Sequence, residues 1–134
     1  MSIFSEWPHN WYGFTRTADE KFDLPVLDAL IDPLWTPEDK GKIIVYLDES
    51  PVAIVSQLND MNCELCGESI GNPSCYKSDG LWLWPISLSH EVKKHSVRLP
   101  DRMVKDIQNN NYSAPTKLKS PYDWMPWPNL KKID

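Results

Sequence analysis

The chain has 134 residues, a formal net charge of −5 at neutral pH, and a heavy aromatic load of seven Trp, five Tyr and three Phe. That length suits one domain with a single modest core. The acidic balance argues against general nucleic-acid binding, which needs a basic surface to meet phosphates. No stretch approaches the roughly 18 uninterrupted apolar residues of a membrane-spanning helix, so none is expected.

Residues 1–23 carry Trp7, Trp11, Tyr12, Phe14 and Phe22 without a clean period, and they read as an irregular arm that packs its rings on the core. Met1 to Gly13 has neither the basic start nor the apolar run of a secretory signal. Residues 24–31 fit a short helix with Leu27, Leu30 and Ile31 on one side. Thr36-Pro37-Glu38-Asp39 is a helix start: Thr can cap, Pro suits the first helical position, and the two acids sit at the positive end of the dipole. Ile43, Ile44 and Leu47 follow at helical spacing, although the β-branched run from Lys42 to Leu47 would also suit a strand. The cap decides for a helix over 37–48.

Pro51 closes a turn, and Val52 to Ser56 reads as a strand. Residues 67–75 form a Gly/Asn/Pro/Ser loop, and Ser78-Asp79-Gly80 is a turn signal. Leu81-Trp82-Leu83-Trp84 alternates and is expected to pair with 52–56. Pro85 is expected to open a helix running to about His95, with Leu88 and Val92 facing the core. Leu99-Pro100-Asp101 opens a further helix with Met103, Val104 and Ile107 apolar, ended by Asn109-Asn110-Asn111. Residues 112–134 are proline-rich, and Trp124-Met125-Pro126-Trp127-Pro128 reads as extended chain, wrapped over the core or offered to a partner. The fold expected is α+β: one small domain with a short antiparallel hairpin or sheet and three or four helices, clasped by one zinc ion. Its parts are an aromatic arm (1–35), a zinc-clasped core (36–107) and a Pro/Trp-rich tail (108–134).

The zinc expectation rests on Cys63-Glu64-Leu65-Cys66-Gly67 followed by His90-Glu91-Val92-Lys93-Lys94-His95. Two thiolates and two imidazoles are the ligands that tetrahedral zinc prefers, and both spacings fall in the range of Cys₂His₂ sites. Gly67 permits the tight backbone of a knuckle. On an ideal helix His90 and His95 would point about 140° apart, so they converge only if the helix turns or frays near His95. Cys75 stands as a substitute ligand for one His. Three cysteines, two of them in C-x-x-C, favour metal binding in a reducing compartment over a disulfide framework, and so a cytoplasmic location.

Four protein ligands close a zinc site, whereas a catalytic site keeps a position open. His90-Glu91-x-x-x-His95 is one residue longer than the H-E-x-x-H metalloprotease motif, which turns the second His about 100° off the shared face. The zinc deaminases need H-x-E before P-C-x-x-C, and here the order is reversed. The zinc is therefore expected to be structural, with no catalytic residue assigned and Glu91 read as a solvated helix residue.

The run from Cys63-x-x-Cys66-Gly67 through Ser78-Asp79-Gly80, Trp84-Pro85, Leu88-x-His90-x-x-x-x-His95 and Val97-Arg98-Leu99-Pro100 resembles a group of small, uncharacterised bacterial zinc-binding proteins. The resemblance covers roughly residues 36–107. This chain departs from the pattern at Asn72-Pro73, where Asn-Gly is usual, at Ser78 in place of Thr, and at Glu91 in place of Tyr. Cys75 falls at a variable position. The resemblance implies a zinc-stabilised domain of bacterial origin and no particular activity.

Three functions can be set against these residues. The first is a protein-binding module without enzymatic activity, specifically an immunity protein that binds and blocks a cognate toxin. The acidic charge would steer in a basic toxin domain, and Trp and Tyr would anchor the interface. The second is a zinc hydrolase using Cys63, Cys66 and one His, with Glu91 as base. The third is a nucleic-acid finger using Lys93, Lys94, Arg98, Arg102 and Lys105. The first is the expectation carried forward, with no nucleic acid and no membrane among its partners.

Overall fold

The aromatic arm is part of the core. In the computed structural model, which describes residues 3–15, 24–54, 61–63, 65–71 and 75–116, Trp7, Trp11 and Tyr12 are buried together with Tyr46, Trp82 and Trp84. Trp7 meets Trp11 and Tyr12 edge to face, with ring centroids 5.2 and 5.3 Å apart, the arrangement that the ring quadrupoles favour. Its indole N–H donates to the Trp11 carbonyl at 2.7 Å. The Tyr12 hydroxyl donates to the Arg98 carbonyl at 2.5 Å. Trp7 and Tyr12 thus each place their polar atom on a backbone carbonyl.

The architecture is α+β. A 3₁₀ turn at Leu27–Leu30 precedes helix α1 (Lys40–Glu49), strands β1 (Val52–Ile54), β2 (Tyr76–Ser78) and β3 (Leu83–Pro85), and helices α2 (Leu88–His95) and α3 (Asp101–Asn109). The three strands form one antiparallel sheet in the order β1-β2-β3. The segment expected to pair with 52–56 is therefore one strand further away. Val52 faces Lys77, while Lys77 faces Trp84 and Ser78 faces Leu83. Tyr76-Lys77-Ser78 is too short to show alternation, so its sequence predicts no strand. The Ser78-Asp79-Gly80 turn is where it was expected, and it joins β2 to β3. The Asp79 carboxylate accepts the N–H groups of Leu81 and Trp82 at 2.9 and 2.8 Å, and Gly80 takes a φ of +94°.

Two helix starts shift for local reasons. Pro85 ends β3 instead of opening a helix, since it pairs with Tyr76 at the sheet's end, and α2 begins three residues later. Helix α1 begins at Lys40, because Thr36 to Asp39 form a turn closed by Lys40 N–H on the Pro37 carbonyl at 3.1 Å. Asp39 does not cap with its side chain. Its carboxylate instead accepts the Tyr112 hydroxyl at 2.5 Å and the Gln108 amide at 3.0 Å. Those two bonds hold its pKa below the usual carboxylate value. They also tie α1 to the end of α3.

The outer edge of β3 is covered by the arm. Tyr12 N–H reaches the Leu83 carbonyl at 2.9 Å, and Leu83 N–H reaches the Asn10 carbonyl at 3.0 Å. A sheet edge left open would offer unpaired backbone to other chains. Gly13 makes this seam possible. Its φ is +90°, and a Cβ there would sit 3.0 Å from Pro85 Cδ and 3.1 Å from Leu88 Cδ1. Gly13→Ala is expected to cost about 1–3 kcal/mol through backbone strain and steric conflict, read as a lower urea midpoint at unchanged slope.

Leu88, Val92, Met103 and Ile107 put the apolar faces of α2 and α3 into the core, as their spacing predicts. The expected Pro/Trp tail beyond residue 116, with Trp124 and Trp127, lies outside the described residues, as do residues 55 and 56 of the expected first strand. No helix among the described residues is long and apolar enough to cross a membrane.

Candidate metal centre

Residues 61–63 and 65–71 bond to one another around the two thiols. Cys63 N–H donates to the Glu68 carbonyl at 2.7 Å, and Gly67 N–H returns to the Cys63 carbonyl at 2.9 Å. Gly67 has a φ of +75°, a conformation that a side chain would strain. Leu65 N–H points at the Cys63 sulfur, 3.4 Å away. Outside this turn, Met61 N–H and Ile70 N–H bond across to the carbonyls of Gly71 and Met61. The backbone alone thus turns both sulfurs toward one point.

The imidazoles arrive from the C-terminal end of α2. Five α-helical steps would splay them, and the helix end resolves this. Ser96 takes a left-handed conformation (φ 56°, ψ 30°), and its N–H bonds to the Glu91 carbonyl five residues back, one residue further than an α-turn. Val97 N–H reaches the same carbonyl at 3.3 Å. This widened last turn, a type found at helix ends, swings His95 back toward His90. Their ring centroids are 5.2 Å apart. Ser96 and its neighbours are fixed from the far side. Asp32 N–H bonds to the Ser96 carbonyl at 2.9 Å, and Arg98 N–H bonds to the Leu30 carbonyl at 2.8 Å.

All four expected ligands come together. Cys63 Sγ lies 3.3 Å from His95 Nε2, and Cys66 Sγ lies 3.4 Å from His90 Nε2. The four ligand atoms lie within 4.8 Å of one another. Zinc–sulfur and zinc–nitrogen bonds of usual length at tetrahedral angles give S···N edges of about 3.6 Å and an S···S edge of about 3.8 Å. The two S···N distances are slightly shorter than such edges and the 4.8 Å limit is longer, so the cluster is close to the size that could hold one metal ion. Cys63 is buried, both imidazoles are half-buried, and Cys66 is at the surface.

The electrostatics favour a cation here. The Glu68 backbone N–H lowers the Cys66 pKa, but desolvation and the neighbouring Cys63 sulfur raise it, and the balance lies above the ordinary thiol value. A metal ion between the sulfurs would attract both thiolates and outweigh that mutual repulsion. Glu68 also faces the site by its side chain, with Oε2 3.7 Å from His90 Nδ1. Sequence reasoning passed over this residue, whose only signal is an acid directly after the Cys-x-x-Cys-Gly run.

The remaining candidates lie elsewhere. Cys75 is outside the cluster, just ahead of β2, where its carbonyl takes the Ile86 N–H at 3.0 Å. Glu91 was expected to be solvated, and it is buried. It occupies the inward side of α2 beside Val92, and Ser87 Oγ donates to its Oε1 at 3.1 Å. Of the basic run, Arg98 pairs with Asp32 and Asp101 at 2.9 and 3.3 Å. Arg102 bonds to the Trp7 carbonyl and the Asn10 side chain, both at 2.9 Å, and lies over the Trp82 ring. These two arginines hold the fold together, while Lys93, Lys94 and Lys105 are exposed. No family model, curated protein or solved structure matches this chain.

Proposed function

We propose that Cys63, Cys66, His90 and His95 hold one zinc ion in a structural role, and that the chain is a cytoplasmic protein-binding module without enzymatic activity. The observation that carries this reading is the convergence of four protein ligands within 4.8 Å. A full set of protein ligands leaves no position for water, so the metal stabilises and does not activate. Glu91, the base a hydrolase would use, faces the interior on Ser87. Thiolate ligands persist in a reducing compartment, which supports the cytoplasm.

The specific form proposed is a bacterial immunity protein that occupies a basic toxin. Its support is the net charge of −5, which draws a basic partner into contact. The tryptophans of the described core contribute less to this argument than their number suggested, because Trp7, Trp11, Trp82 and Trp84 are buried.

Metal analysis and zinc-edge absorption test the first part. One zinc per chain with two sulfur and two nitrogen neighbours is expected, and three protein ligands plus water would overturn it. For the second part, expression of this chain should rescue growth of cells that express a toxin encoded beside its gene. The absence of both such a toxin and any rescue would overturn it.

A further inference from the structure

Resting on the metal reading above, we infer that Glu68 is a positioning residue of the centre, which fixes His90 with Nδ1 protonated and Nε2 free to bind the ion. An imidazole can present only one nitrogen to a metal, and the other then carries the proton and needs an acceptor. His90 Nε2 faces the Cys66 sulfur at 3.4 Å. Its other nitrogen faces Glu68 Oε2 at 3.7 Å, an ion-pair distance a few tenths of an ångström beyond hydrogen-bond reach.

The rest of Glu68 is fixed to the same loop. Its carbonyl accepts the Cys63 N–H at 2.7 Å, and its N–H bonds to the Cys66 sulfur. One residue therefore addresses three of the four ligands, two by backbone and one by side chain. The backbone bonds survive substitution by Gln or Ala at this position. The carboxylate is 57% exposed, so its removal leaves no cavity in the core. The side chain can thus be tested apart from the fold.

The experiment uses the full chain, with zinc as the probe. Zinc affinity is measured by competition with a chromophoric chelator for wild type, Glu68→Gln and Glu68→Ala. The tautomer of His90 is read from its ring nitrogen shifts in the zinc-loaded protein. Glu68→Ala is expected to weaken zinc about ten-fold or more, toward the range for lost outer-sphere partners. Its His90 tautomer should become mixed, while the zinc-loaded circular dichroism stays unchanged. Glu68→Gln keeps an acceptor oxygen and is expected to recover most of the affinity.

Equal affinity and an unchanged tautomer in Glu68→Ala would overturn the role of Glu68 and leave the metal reading intact. Failure of the wild type to bind zinc would overturn both. A loss in Glu68→Ala with altered circular dichroism, and no recovery in Glu68→Gln, would show a role in the loop's fold and overturn positioning.

Discussion

Cys63→Ser is expected to abolish stoichiometric zinc binding and to remove several kcal/mol of stability. Cys63 is the buried sulfur, and its own backbone closes the loop at both ends. An ion that binds only the folded state stabilises it by about 4 kcal/mol when free zinc is a thousand times its Kd. That is a large share of the roughly 5–15 kcal/mol that holds a typical domain together. Chelation of the wild type should reproduce the loss, and added zinc should reverse it only in the wild type. The pH dependence has a defined sign. Both thiols must lose a proton and both imidazoles must be neutral to bind, so zinc competes with protons. The stability contributed by the metal therefore weakens as pH falls and protons compete for the four ligands. Melting temperatures measured against pH, with and without chelator, check this: the two curves should converge on the acid side.

Trp82→Ala should destabilise the protein by about 3–5 kcal/mol, the range for removing a buried aromatic ring. The ring is fully buried. Its indole N–H donates to Asp106 Oδ2 at 2.8 Å, and Arg102 lies 5.3 Å from the ring centroid on one face. Removing it opens a cavity and leaves Asp106 without its donor, so the cost combines packing with an unmade charged hydrogen bond. Trp82→Phe keeps most of the packing and should cost about 1–2 kcal/mol, which isolates the hydrogen bond. Urea denaturation followed by circular dichroism separates the three proteins. A cost below about 1 kcal/mol for Trp82→Ala would mean that the arm and α3 close over the gap.

The four candidate ligands were legible in the sequence because their spacing is local. Two Cys in one turn and two His on one helix form two pairs through short-range geometry, and only the convergence of the pairs depended on the wider fold. That convergence comes from Ser96, a residue with no intrinsic preference for the left-handed turn it adopts. It is held there by backbone bonds to residues more than sixty positions earlier. Helices α1 and α3 were legible from the spacing of their apolar residues, although neither start carries a side-chain cap. Strand β2 was not, since three residues cannot display a period. The burial of Glu91 was hidden for another reason: a carboxylate goes inside only where a donor such as Ser87 Oγ meets it, and such meetings are tertiary. The same holds for Arg98 and Arg102, whose sequence neighbours suggested a basic surface and whose spatial neighbours are Asp32, Asp101 and the arm.

The arm that seals β3 is tied to the fold by contacts between residues far apart in the chain. Asn10 bonds to a residue 71 positions away, Tyr12 to one 86 away, and Trp7 is reached by Arg102 from 95 away. Tyr12 and Trp7 lack these partners until Arg98 and Arg102 are in place. Closures of that length are entropically costly and slow compared with local pairing. Docking of residues 7–12 is therefore expected among the slower, long-range steps of folding.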